Sequence, residues 1–174
     1  DSNTDFSVQD AVLDGDVNWM LSIPGADVII DKSSSADSPR LIAEGRLIGG
    51  CVDCIAKLIG TPFDGTKSFV KKYPRKIWFL DNFAMTSFDL YLTMMQMKYC
   101  GYFKGTKAIV FGRTMFGDKS DEEYITQLRQ AIPDIPFIWN ADIGHVKPCF
   151  TVINGAYGRV TCAQGKGTLE QALV

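Results

Sequence analysis

Apolar and polar residues are unevenly arranged along the chain, and the arrangement changes near position 41. The first forty residues hold no sustained period. They are broken by Asp14-Gly15-Asp16, by Pro24-Gly25 and by the run Lys32-Ser33-Ser34-Ser35-Ala36-Asp37-Ser38-Pro39, residue types that favour turns for steric and hydrogen-bonding reasons. A short strand over residues 27–30 is the one regular piece expected there. A chain that opens with loops and a single strand reads as starting in the middle of something larger, as a fragment of a longer protein would.

From Leu41 the pattern tightens. Residues 41–48 read as a strand, Gly49-Gly50 as a close turn, and Val52, Ile55, Leu58 and Ile59 recur at helical spacing until Gly60-Thr61-Pro62 ends them. Lys76-Ile77-Trp78-Phe79-Leu80 is too short for a helix and apolar enough for a buried strand, and its carboxyl end delivers Asp81. Thr86 and Asp89 resemble a capping pair. Behind them Phe88, Leu92, Met95 and Tyr99 repeat at i, i+4, i+7 and i+11 up to Gly101, and Met94, Met95 and Met97 read as packing residues.

Residues 108–111 form a further buried strand closed by Gly112. Asp121, Glu122 and Glu123 place acids in the first turn of a helix whose apolar face is Ile125, Leu128 and Ile132. Residues 137–139 are a strand, and residues 150–153 with 159–162 read as a strand pair. Strands alternating with helices and no internal repeat predict one mixed α/β domain, with antiparallel pairing towards the carboxyl end.

At 174 residues one core is expected, and 46% apolar with 22% charged residues is the balance of a folded globular protein. A formal net charge of -2 provides no basic field for phosphates, which sets aside nucleic acid and an anionic membrane surface as partners. No stretch approaches the roughly 20 apolar residues of a membrane span. Five cysteines, an odd number without scaffold spacing, suit reduced thiols in apolar surroundings in a cytoplasmic protein. Cys51-Val52-Asp53-Cys54 has redox or zinc spacing, but no second pair and a single histidine accompany it, so buried thiols are the expected reading.

That histidine, His145, lies in Asp142-Ile143-Gly144-His145-Val146-Lys147-Pro148, a loop between strands. A lone histidine is more often a satisfied polar residue than a catalyst, but a connecting loop is where function gathers, and a preceding glycine lets backbone crowd a partner. Asp81 suits a cap or turn as well as an acid that orients a base. No serine lies on a strand-turn-helix elbow, so the chain offers a base and acids without a nucleophile.

Several ordered motifs resemble those of the LD-carboxypeptidase family, which includes the microcin immunity peptidases. Ala43-Glu44-Gly45-Arg46-Leu47-Ile48-Gly49-Gly50 followed by Leu58-Ile59-Gly60-Thr61-Pro62-Phe63 is similar to the family's A-E-G-R-L-x-G-G-N-L and L-x-G-T-P-[YF]. Ile77-Trp78-Phe79-Leu80-Asp81-Asn82 lies where the family has I-L-F-L-E-D, and Gly112 where it has the glycine of its next strand. Ile143-Gly144-His145-Val146-Lys147-Pro148 matches F-G-H-x-x-P, and Gly155-Ala156 echoes P-I-G-A. The resemblance runs from about residue 44 to residue 160.

The resemblance implies the family's carboxyl-terminal domain, of swivelling β/β/α type, over residues 41–174. Residues 1–40 would then be the interdomain connection and lead-in, and the amino-terminal domain that carries the nucleophilic serine would be absent from this chain. It implies His145 as general base and Asp81 in the place of the family's glutamate, with no cofactor or metal. Asp81 is one methylene shorter than that glutamate, Cys51 replaces the asparagine of G-G-N, Asn82 replaces an aspartate, and Ile153-Asn154 departs from Pro-Ile. The implied reaction is cleavage of an L,D-peptide bond in a muropeptide-like peptide by acyl transfer, with the missing domain as partner, a homodimer as a further expectation and the isolated chain inactive. Two alternatives stay open: a microcin-immunity-type peptidase, and a degenerate member that binds a peptide without turning it over.

Overall fold

The structure, a computed structural model, describes residues 7–10 and 18–173. The turn expected at Asp14-Gly15-Asp16 lies outside the described residues. Eight strands form one sheet: β1 (Ser7–Asp10), β2 (Met20–Ser22), β3 (Leu41–Cys51), β4 (Lys76–Asp81), β5 (Thr106–Gly112), β6 (Phe137–Ala141), β7 (Tyr157–Ala163) and β8 (Lys166–Ala172), in the order β1-β8-β7-β3-β4-β5-β6-β2. β3 to β6 are parallel neighbours, and every other pairing is antiparallel. Helices α1 (Val52–Leu58) and α2 (Thr66–Lys72) connect β3 to β4, α3 (Ser87–Tyr99) connects β4 to β5, and α4 (Asp121–Ala131) connects β5 to β6. The fold is the mixed α/β domain that the pattern predicts.

Both faces of the central strands are buried, which is why they read as continuous apolar runs. In β4, Ile77 and Phe79 join one core while Trp78 and Leu80 join the other. The second core is covered by the helices, through Val52, Leu90, Met94, Tyr124 and Leu128. The first is covered by the curl of the sheet itself. The segment before β2 meets the β7–β8 turn, where Trp19 N–H donates to the Gly165 carbonyl at 3.0 Å. The Trp19 ring lies flat on Gly167, where a Cβ would fall 1.8 Å from the indole. β5 and β6 fall out of step near their carboxyl ends: Val110 faces Ile138 but Gly112 faces Ala141, so β6 carries one residue more, and Asn140 takes φ 69° there.

Four expectations are corrected. Residues 27–30 are not a strand; only Ile30 bridges, to Leu21, and the regular element is β2, whose Leu21 fills the core while Arg129 ties the Asp27 and Val28 carbonyls. Residues 150–153 are not a strand either, since the Gln171 side chain takes the Ile153 amide and the Thr151 carbonyl that a ladder would use. β7 pairs instead with β8 through the two-residue turn Gln164-Gly165, both at positive φ as a hairpin of primed type needs. The buried face of α3 is Leu90, Met94 and Met97, while Phe88, Leu92 and Tyr99 are exposed. Finally, the thiols are not mostly buried: Cys162 alone is enclosed, and Cys54 and Cys149 are exposed.

Candidate active site

Three successive parallel strands end at the same edge of the sheet. β4 ends in Asp81, β5 in Gly112 with Arg113 next, and β6 in Ala141 with Asp142 next. Neighbouring strands lie about 4.8 Å apart, so β4 and β6 are separated by roughly 10 Å. A side chain after β6 reaches Asp81 only if its loop leans back across the end of β5. It does so over Gly112, where a Cβ would stand 2.5 Å from the Ile143 carbonyl oxygen. The glycine of β5 clears the path for the loop.

The loop delivers His145 onto Asp81. His145 Nδ1 and Asp81 Oδ2 are hydrogen-bonded, and the His145 backbone N–H donates to Asp81 Oδ1 at 3.4 Å. Asp81 is 6% exposed at its side chain and His145 44%. Gly144 makes the approach possible: its φ is 95°, and a Cβ there would lie 1.9 Å from Asp81 Oδ1. The short aspartate side chain is met by a neighbour that has no side chain. With the ring proton held on Nδ1 by the carboxylate, Nε2 is the nitrogen left with a lone pair to accept a proton.

The walls are stitched to the sheet. Asp53, in the first turn of α1, accepts from the amides of Phe83 at 3.0 Å and Ala84 at 3.1 Å. Asn82 is fully buried and bonds both the Met85 amide and the Met85 carbonyl, closing the turn that follows Asp81. Phe83 packs against the imidazole with ring centres 4.8 Å apart, and Phe116 meets Phe83 edge-on. Cys51 stands opposite Asp81 in the β3–β4 register. Among the described residues no three His, Cys, Asp or Glu side chains converge as metal ligands.

Beneath the loop, Asp142 is fully buried. Arg113 Nη2 lies 3.0 Å from Asp142 Oδ1, and Trp19 Nε1–H donates to Oδ2 at 2.8 Å. Burial pushes the Asp142 carboxyl above its ordinary value, opposed by the Trp19 hydrogen bond and the Arg113 charge. Arg113 also donates to the carbonyls of Val146 at 3.0 Å, Lys147 at 3.2 Å and Pro148. Sequence reasoning singled out Asp81 and His145, which the fold brings together, and missed Arg113, Asp53 and Phe83. Asp142 sat inside the quoted loop, but nothing in its spacing distinguishes a buried ion-pair partner from a turn aspartate.

A buried carboxylate hydrogen-bonded to a half-exposed imidazole, at the carboxyl ends of parallel strands, has the geometry of the acid and base of a catalytic triad. The family follows from comparison. A family profile described as the LD-carboxypeptidase C-terminal domain matches residues 44–160, and the chain belongs to that family. Comparison with curated protein sequences finds no significant match. Among solved structures, muramoyltetrapeptide carboxypeptidase from Oxalobacter formigenes superposes with a TM-score of 0.65 at 20% identity, covering 89% of this chain and 50% of that one. A MccF-like protein from Bacillus anthracis str. Ames gives 0.58 at 23%, over 78% and 41%. The microcin C7 self immunity protein MccF, solved in complex with aspartyl sulfamoyl adenosine, gives 0.63 at 15%, over 100% and 52%. The chain thus spans about half the length of these structures. Among the described residues no helix is long and apolar enough to cross a membrane.

Proposed function

We propose that this chain is the acid–base half of a serine-type LD-carboxypeptidase that removes a terminal D-amino acid from a muropeptide-like tetrapeptide in cytoplasmic peptidoglycan recycling. The observation that carries the reading is the hydrogen bond between buried Asp81 and His145. A degenerate binding domain has no need to keep a buried carboxylate on its single histidine, because an ion so enclosed is costly unless it is paired.

In this reading the nucleophilic serine comes from an amino-terminal domain outside these 174 residues. His145 Nε2 takes the hydroxyl proton as Oγ bonds to the scissile carbonyl carbon, and Asp81 stabilises the imidazolium. Collapse of the tetrahedral intermediate breaks the C–N bond, and the proton passes from His145 to the leaving amine. Water then repeats the sequence to release the acyl group. Phe116 and Met115 are exposed beside this site and suit the apolar face of a substrate or of the serine-bearing domain. The exposed stripe of Phe88, Leu92 and Tyr99 on α3 supports the homodimer that the resemblance implies.

The test is release of D-alanine from an L,D-linked tetrapeptide by the full-length protein, set beside His145→Ala, Asp81→Ala and the 174-residue chain alone. Activity in the full-length protein, absent from both variants and from the isolated chain, is the expected result. Activity on an acyl-sulfamoyl nucleoside instead would assign the microcin-immunity type. Tight peptide binding with no turnover of either substrate would overturn the enzymatic reading.

A further inference from the structure

We infer that Arg113, working through Asp142, is a positioning residue that sets His145 against Asp81. The kinetic part of this inference rests on the peptidase reading above; the structural part does not. Residues 142–148 form a loop without regular secondary structure that must cross the end of β5, and such a segment has no ladder of its own to fix it. Arg113 grips it on both sides of His145. Ahead of the histidine the guanidinium pairs with the Asp142 carboxylate, and behind it the same guanidinium bonds three consecutive carbonyls, those of Val146, Lys147 and Pro148.

The grip is referred to the core. Asp142 Oδ2 receives the indole N–H of Trp19, itself sealed between the sheet and the β7–β8 turn, and the Asp142 carbonyl accepts the Phe150 amide at 3.0 Å. An ion pair whose carboxylate is wholly buried and whose guanidinium is largely so is a poor way to gain stability, since desolvation offsets the attraction, but it fixes geometry well. Nη2 reaches Asp142 and the Val146 and Pro148 carbonyls while Nη1 takes the Lys147 carbonyl, a division over two nitrogens that a lysine with one nitrogen cannot reproduce. With both Nη1 and Nη2 engaged by the loop, Arg113 acts on the reaction through His145 and not on the substrate.

The chain contains a single histidine, so its ring nitrogens can be read without assignment ambiguity. Long-range 1H–15N correlation through the carbon-bound ring protons, recorded where the ring is neutral, reports which nitrogen holds the proton. Wild-type chain is expected to show Nδ1–H, and Asp81→Asn is expected to lose that preference. Arg113→Met should lose it too while circular dichroism and the amide spectrum remain those of a folded domain. Arg113→Lys, which keeps the charge opposite Asp142 but cannot span the carbonyls, should fail to restore it, and it decides the matter if Arg113→Met does not fold. In the full-length protein either variant should lower kcat by roughly 10- to 100-fold with KM little changed. A folded Arg113→Lys or Arg113→Met with the wild-type tautomer would overturn the inference. A wild-type protein inert towards the tetrapeptide, with the tautomer still dependent on Arg113, would instead sink the peptidase reading and leave the positioning role in place.

Discussion

At Gly144 a missing carbon sets how close His145 and Asp81 come. Alanine there would need φ near 95° and a methyl inside the van der Waals shell of the Asp81 carboxylate. On the peptidase reading proposed above, Gly144→Ala is therefore expected to fold but to lose about 100-fold in kcat/KM, as displacements of about an ångström do at catalytic groups; steady-state kinetics on the full-length protein would show it. Glu44 gives a prediction in pH. The Arg159 hydrogen bond holds its carboxyl below the ordinary glutamate value of 4.5. A depressed folded-state value means stability that is fully present above the ordinary value and lost as pH falls through the lowered one. Unfolding midpoints followed from pH 6 downwards should fall less steeply for Glu44→Gln than for wild type. Asp81 and His145 were legible in the sequence because the motifs around them are ordered along the chain. Arg113 was not, because its role exists only once a loop that begins 29 residues further on, roughly 100 Å of extended chain at about 3.4 Å per residue, has folded back over it.

Elements differ in how plainly they declare their faces. α4 was read correctly at Ile125, Leu128 and the flanking Ile132, because its other side is polar and its capping box joins Ser120 to Glu123. Ser120→Ala should cost about 1 kcal/mol by chemical denaturation. α3 was read on the wrong stripe. It is apolar on two sides, so periodicity alone could not say which side meets the sheet; Leu90, Met94 and Met97 do. Met94→Ala is expected to lose about 2–5 kcal/mol, whereas Leu92→Ala should stay within about 0.5 kcal/mol. A comparison of their urea midpoints separates the two faces. α2 escaped the sequence reading for a related reason: none of its residues is buried, so it prints no apolar period at all.

On the scale of the whole molecule, the mixed sheet with antiparallel strands at its carboxyl end was visible in the alternation of elements, but its closure was not. A tryptophan in a loop-rich opening segment gives no sign that it will lie on a glycine nearly 150 positions later. Trp19→Ala should remove about 3–5 kcal/mol of stability and also strip Asp142 of a hydrogen bond, so guanidinium denaturation and the His145 tautomer should change together. In a protein altered at Met94 only the first should move.

The extra residue at Asn140 acts on this arrangement as a change of phase. Side chains along a strand alternate faces with a period of two, so a single added position reverses every assignment downstream of it. Ile138 and Ala141 both face the curled core, three positions apart, where an uninterrupted strand would put them on opposite sides. Everything the chain does after β6 is written in that shifted phase. Removing Asn140 would leave each residue from 141 to 148 chemically intact and turn the whole group by half a period, away from the acid it was built to meet.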